Sequence, residues 1–205
     1  MAHTSGLRSD SGDEGPLFGE RCERPADAFP FFAGADLRFE PDTEYNYSRF
    51  GFIPVSAAIE AASGESFLAF MQQRVFTPLG MDDTLADGGP EPVEDRAVAY
   101  FPGFAGDPRY GNDVMRDLNL SCYAGSSVFL STASDLVRFG NAVAFGRLLS
   151  ADTVRMLHTS HRLRSSQETG YGLGWDIESV TIGGQPLKTV GHDGDLLGGI
   201  ANTFW

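Results

Sequence analysis

From Pro54 onward the apolar positions fall into a helical rhythm. Val55, Ala58, Ile59 and Ala62 stand at i, i+3, i+4 and i+7, one face of an amphipathic helix that Ser63-Gly64 breaks. A second stripe follows in Phe67, Phe70, Met71 and Val75, with Ser66 as its expected N-cap and Pro78 and Gly80 as its end. A third carries Leu136, Phe139 and Val143 behind Thr132-Ala133-Ser134-Asp135 and closes at Gly146. There the Thr132 hydroxyl is expected to accept the third amide, and the Asp135 carboxylate to reach back to the cap. A short fourth helix is predicted after Ser150, with Leu149 and Val154 spaced as a hydrophobic staple.

After residue 170 the period changes from 3.6 to 2. Tyr171, Leu173, Trp175 and Ile177 alternate with Gly172, Gly174, Asp176 and Glu178, the pattern of a half-buried strand. Gly183-Gly184 reads as a hairpin turn into a strand over Leu187 to Gly191, and Ile200 to Trp205 as a third strand. Helices followed by meandering strands predict an α+β fold with helices against an antiparallel sheet. We divide residues 1–205, one partial domain, into a helical and loop part (1–170) and sheet strands (171–205). Residues 1 to 44, rich in Gly, Pro, Asp and Glu, read as mostly loop, pinned to a core by Phe29-Pro30-Phe31-Phe32. Residues 82 to 120 read as a long polar connection, with Pro90, Pro92, Pro102 and Pro108.

Charge narrows the partners. Fifteen basic residues against 28 acidic ones leave a formal charge of -13, which argues against nucleic acid and against an anionic membrane surface. The acidic run Asp10 to Glu14 reads as solvated loop. No stretch approaches the roughly 18 apolar residues of a membrane span, and the opening Met1 to Gly6 lacks the apolar run of a signal peptide. Cys22 and Cys122 have no CxxC spacing, and idle thiols are the preferred reading, with one bridge between them the alternative. His158 and His161 stand at i, i+3, but Asp152 is the only nearby acid. They are read as solvent-facing histidines at a helix end, and neither metal nor cofactor is expected.

Phosphate-loop, dinucleotide and nucleophile-elbow motifs are absent. What the chain offers is a series of phrases in fixed order. His3-Thr4-Ser5-Gly6-Leu7 comes first, then the run Phe39 to Gly51 containing Tyr47-Ser48-Arg49-Phe50-Gly51. Phe76-Thr77-Pro78-Leu79-Gly80-Met81 follows, then Ala124 to Leu136, Tyr171-Gly172-Leu173-Gly174-Trp175 and Gly191-His192-Asp193-Gly194. The series resembles the serine β-lactamase-like family: class C β-lactamases and D-alanyl-D-alanine carboxypeptidases, with their esterase and LACTB-like members. The resemblance implies a β-lactamase/transpeptidase-like fold, with the sheet incomplete in this chain. It also implies acyl-enzyme chemistry from a Ser-x-x-Lys pair, a Tyr-x-Asn element and a Lys/His-x-Gly strand.

By that resemblance Tyr47 matches the catalytic tyrosine and His192-Asp193-Gly194 the strand motif. The amide of Asp195, just after Gly194, matches an oxyanion donor. A serine needs a base to take its proton, and backbone amides hold the developing oxyanion. Two departures stand out. Arg49 occupies the position where the family often has Asn; a guanidinium only donates, which points to an anionic group on the substrate. Tyr110-Gly111-Asn112 spells the tyrosine motif but lacks its flanking Phe-Gly and is read as a decoy. The second departure is the nucleophile: Lys188 is the sole lysine, and Gln185 precedes it at the required spacing. No nucleophile is therefore assigned in this chain. It is expected to be a fragment, inactive alone, marginally stable and prone to self-association through its incomplete sheet. The substrate is expected to be a small molecule or peptide carrying an amide, lactam or ester. The competing expectation is a non-catalytic cleft that binds a peptide or cell-wall fragment.

Overall fold

The computed structural model describes residues 1–8, 19–87, 93–103, 107–114, 118–196 and 199–204. The Asp10 to Glu14 run, Pro90, Pro92 and Trp205 lie outside them. Among the described residues, five α-helical segments and three small antiparallel sheets make the α+β fold that the two periods predict.

The first predicted helix is α1 (Ile53–Ser63), entered through a 3-10 turn at Arg49–Phe52 and ended by Gly64 in the left-handed region. The second stripe is interrupted. It begins as α2 (Phe67–Met71), with Ser66 Oγ accepting the Ala69 amide, widens into a π turn over Gln72–Phe76, and ends as α3 (Thr77–Leu79). Two two-stranded ladders occupy the long connection. β1 (Leu85–Ala86) and β2 (Tyr100–Pro102) pair with β4 (Phe129–Leu130) and β3 (Asn112–Val114) respectively. Then come α4 (Ala133–Ala144) and α5 (Ala151–Leu157), capped by Thr132 and Ser150.

The expected capping box of α4 forms only by half. Thr132 Oγ1 accepts the Asp135 amide at 3.2 Å, but the fully buried Asp135 carboxylate turns away from the cap. It accepts from the Asp83 amide at 3.0 Å and the Thr84 hydroxyl at 2.8 Å, and pairs with Arg138. Tertiary donors offer this carboxylate more than the cap amide does. Asp135→Ala would leave them without an acceptor, and a loss of about 3 kcal/mol is expected as a lowered urea midpoint.

The strands that end the chain are β5 (Asp176–Ile182), β6 (Gln185–Leu196) and β7 (Gly199–Phe204), in the order β5-β6-β7. Gly183 and Gly184 both take positive φ, 59° and 79°, the two-residue turn that matches strand twist. The expected strand over Tyr171 to Ile177 is corrected: pairing starts only at Asp176. Upstream, the backbone serves other contacts, with the Gly172 amide bonded to the Trp175 carbonyl and the Leu173 amide to the Leu157 carbonyl. The second strand runs past its expected end at Gly191, through His192, Asp193 and Gly194.

A second correction concerns the cysteines. Cys22 and Cys122 are not idle thiols but a disulfide, with Cα atoms 4.9 Å apart across 100 residues of sequence. The bridge sits in the main core, where Phe32 stacks on Phe50 at 5.1 Å and Tyr123, Ile53 and Ala28 are buried around them. The N-terminal aromatic run thus pins its loop as expected, through Phe32.

Candidate active site

The loop that carries Tyr47 lies along the first residues of the chain. The Arg38 amide donates to the Gly6 carbonyl at 2.8 Å, Asp42 to Thr4 at 2.7 Å and Asn46 to His3 at 2.9 Å. Gly6 is required there: at φ +76°, a Cβ would stand 2.2 Å from the Phe39 carbonyl oxygen. Next to this backbone ladder the Ser48 amide donates to His3 Nδ1 at 3.1 Å. The His-Thr-Ser-Gly phrase and the tyrosine phrase therefore form one unit.

Around Tyr47 the rings converge. His3 lies 4.2 Å from it, and His192, arriving from the sheet, 5.9 Å, centroid to centroid. Tyr171 stands edge-on to both histidines, at 4.7 Å and 6.0 Å. Burial sets the protonation of these neighbours. The His3 pKa falls to about 4, chiefly by burial and then by the charges of the N-terminus and His192. Burial, helped by Asp176 and Tyr47, pushes Tyr45 up to about 12, and Tyr171 is raised beyond the usual tyrosine range by the same causes.

The sheet contributes an open edge. β5 accompanies β6 only as far as Asp176 opposite Gly191, while β7 continues to Leu196. Among the described residues no strand flanks the β5 side of β6 beyond that point. The Asp193 amide faces the Asp176 carboxylate on that side, and strand alternation turns the Asp195 amide the same way. Gly194 pairs with Ala201 and Asp195 with Ile200 on the other side. Asp176 is itself raised, mainly by burial.

Arg49 is placed differently. Its guanidinium stacks 5.3 Å over the ring of Tyr123, a core residue, rather than over Tyr47. Tyr110 and Asn112 stand at the exposed β2–β3 ladder. His158 and His161 have separate engagements: His158 packs edge-on against Trp175 at 4.8 Å, and His161 Nε2 lies 2.6 Å from Asp42 Oδ1. The sole lysine, Lys188, donates to the His158 carbonyl at 2.7 Å. Asp176, His192 and Asp193 bring donor atoms within 4.8 Å of one another.

Beside His192 opens a cavity of about 420 Å³. The apolar faces predicted for three helices meet there, Val55 and Ile59 of α1, Met71 of α2, Leu136 and Phe139 of α4, and His192 and Thr203 bound it on the sheet side. These helical stripes thus line a space, while Ile59 and Met71 also pack on the buried cluster of Phe67, Ala124 and Val128.

The beta-lactamase family model matches residues 1–205. The chain belongs to the beta-lactamase family. Penicillin-binding protein 4* of Bacillus subtilis is 27% identical over 163 residues, which span 76% of this chain and 36% of that protein. The mitochondrial serine beta-lactamase-like protein LACTB of Mus musculus is 32% identical over 142 residues, 69% of this chain and 25% of the relative. Among solved structures, a D-stereospecific amidohydrolase from Streptomyces sp. superposes with a TM-score of 0.80 at 23% identity, over 99% of this chain and 62% of that one. The chain thus spans only a minor part of the curated relatives' length. Around Tyr47 this beta-lactamase family member also gathers residues that the linear motifs did not single out. His3 lay within a quoted phrase, but as a turn rather than as a contact of Tyr47. Tyr45 and Tyr171 also stood inside quoted phrases without a role read for them, and Asp176 directly follows one.

Proposed function

We propose that this chain is part of a serine hydrolase that works through an acyl-enzyme on an amide, peptide, lactam or ester. The observation that carries this reading is the meeting of Tyr47 and His192, from opposite ends of the sequence, beside the open edge of β6. Tyr47 would take the proton of a nucleophilic serine. His192, as a hydrogen-bonding or cationic neighbour, would stabilise the tyrosinate form in which Tyr47 can accept that proton. The Asp195 amide, on the open edge, would hold the oxyanion in the tetrahedral intermediate, with Gly194 leaving room beside it. The proton that Tyr47 accepts would then pass to the leaving group as the acyl bond breaks, and water would enter by the reverse path.

The serine is the missing part. No serine here has a lysine three residues on, and Lys188 is tied to the His158 carbonyl. We place the serine–lysine pair in sequence outside these 205 residues, and the chain by itself is expected to be inactive. The apolar cavity ending at His192 supports a seat for such a segment. Arg49, drawn over Tyr123, would act on the substrate only from the periphery of the site.

The test joins the upstream coding DNA to this chain and exposes the product to a fluorophosphonate probe. Labelling that disappears when an upstream Ser-x-x-Lys serine is mutated supports the hydrolase. A well-folded product that takes no label points instead to a non-catalytic cleft for a peptide or cell-wall fragment.

A further inference from the structure

One residue accepts the amides of both neighbours of Tyr47. The Asn46 amide donates to the His3 carbonyl at 2.9 Å, and the Ser48 amide to His3 Nδ1 at 3.1 Å. Between these two bonds lies Tyr47. The His3 ring covers the Tyr47 ring at 4.2 Å, tilted by 38°.

His3 holds this place against two penalties. It is a non-glycine residue at φ +55°, in the left-handed region. It is also only 5% exposed, and its Nε2 has no hydrogen-bond partner among the described residues. Because Nδ1 accepts, the neutral ring must carry its proton on Nε2, so a polar N–H is buried unsatisfied. A position that only filled the core would be better served by an apolar ring. Backbone strain of this kind persists where the surroundings over-determine it, and it clusters at functional sites.

We infer that His3 is a positioning residue for Tyr47, holding the amides of its two neighbours, Asn46 and Ser48, and setting the tilt of the phenol ring toward His192. The inference rests on the reading of Tyr47 as the base, but the clamp can be measured without turnover.

Two variants separate ring from acceptor. His3→Asn keeps an acceptor two bonds from Cβ, where Nδ1 stands, and tolerates positive φ, but removes the ring. His3→Phe keeps a ring and removes the acceptor. In the 205-residue chain, Ser48 amide hydrogen exchange is expected to rise about tenfold in His3→Phe and to stay near the parent value in His3→Asn. The Tyr47 ring resonances are expected to shift most in His3→Asn. In the protein that carries the serine, His3→Phe is expected to lower kcat about tenfold at unchanged KM, and His3→Asn to restore part of it.

Equal Ser48 exchange in both variants and the parent overturns the clamp. So does a parent His3 with its proton on Nδ1 by long-range proton–nitrogen NMR, a measurement that stands even if a variant fails to fold. The parent reading of Tyr47 fails separately. If Tyr47→Phe keeps full turnover while Ser48 exchange still follows the acceptor at His3, the clamp survives and its catalytic role does not.

Discussion

Tyr47→Phe, in the protein that carries the Ser-x-x-Lys serine, is expected to lower kcat by about 100- to 10,000-fold, the range for loss of a positioned general base. The change removes one hydroxyl and keeps the ring that packs on His3 and faces His192. Tyr47 is 41% exposed, so the melting temperature should hardly move. KM should also hold, because the interaction lost is made in the transition state. Neither neighbour can substitute for it. Tyr45 is pushed up to about 12 and Tyr171 higher still, so both keep their protons at neutral pH. A variant with kcat within threefold of the parent would remove Tyr47 from the chemistry. Steady-state kinetics beside a thermal melt decide it.

The second large effect concerns stability. Replacing Cys22 and Cys122 by alanine is expected to cost about 2–5 kcal/mol, the usual loss for a native bridge. In a chain of this size, that lowers the melting temperature by about 4–20 °C. The bridge closes 100 residues, and on the chain-entropy account a loop of that length frees the unfolded state by about 4.7 kcal/mol when opened. Its position adds to this. Cys122 is fully buried, and the bridge ties the N-terminal segment, with Ala28 and Phe32, to Tyr123 and Phe50. Without it, the entropy of that segment is restrained only by apolar contact and by bonds such as the Cys22 amide to Ser121 Oγ at 3.0 Å. Differential scanning calorimetry with and without reductant tests this. A double variant that melts within about 2 °C of the parent, together with a parent melt that reductant leaves unchanged, would mean the link does not form in solution.

Much of this molecule could be read directly from residue order. The extent of α1, the stripe of α4, the Ser66, Thr132 and Ser150 caps and the Gly183-Gly184 turn are local: each depends on residues within a few positions of one another, and local propensity and period agree there. The ordered phrases brought Tyr47 and His192 forward as candidates, and family membership bears out the resemblance on which they rest. Where the reading strayed, a distant partner had intervened. The Tyr171 to Trp175 alternation looked like a strand, but its backbone bonds to α5 and to itself. Asp135 looked like half of a capping box, but Thr84 and Asp83 claim it.

The site depends still more on distant contacts. Hydrophobic period and capping chemistry are short-range signals, and they sufficed for an α+β chain; the beta-lactamase type, with a tyrosine and a strand histidine as candidate chemistry, came from the resemblance of the ordered phrases. Contacts across the chain decided the rest. Cys22 meets Cys122, His3 accepts the amides of Asn46 and Ser48 on either side of Tyr47, Arg49 is drawn over Tyr123, and three apolar helix faces line a cavity. No periodicity encodes which of two distant residues will be neighbours, because burial and hydrogen-bond satisfaction are settled only when the whole chain packs.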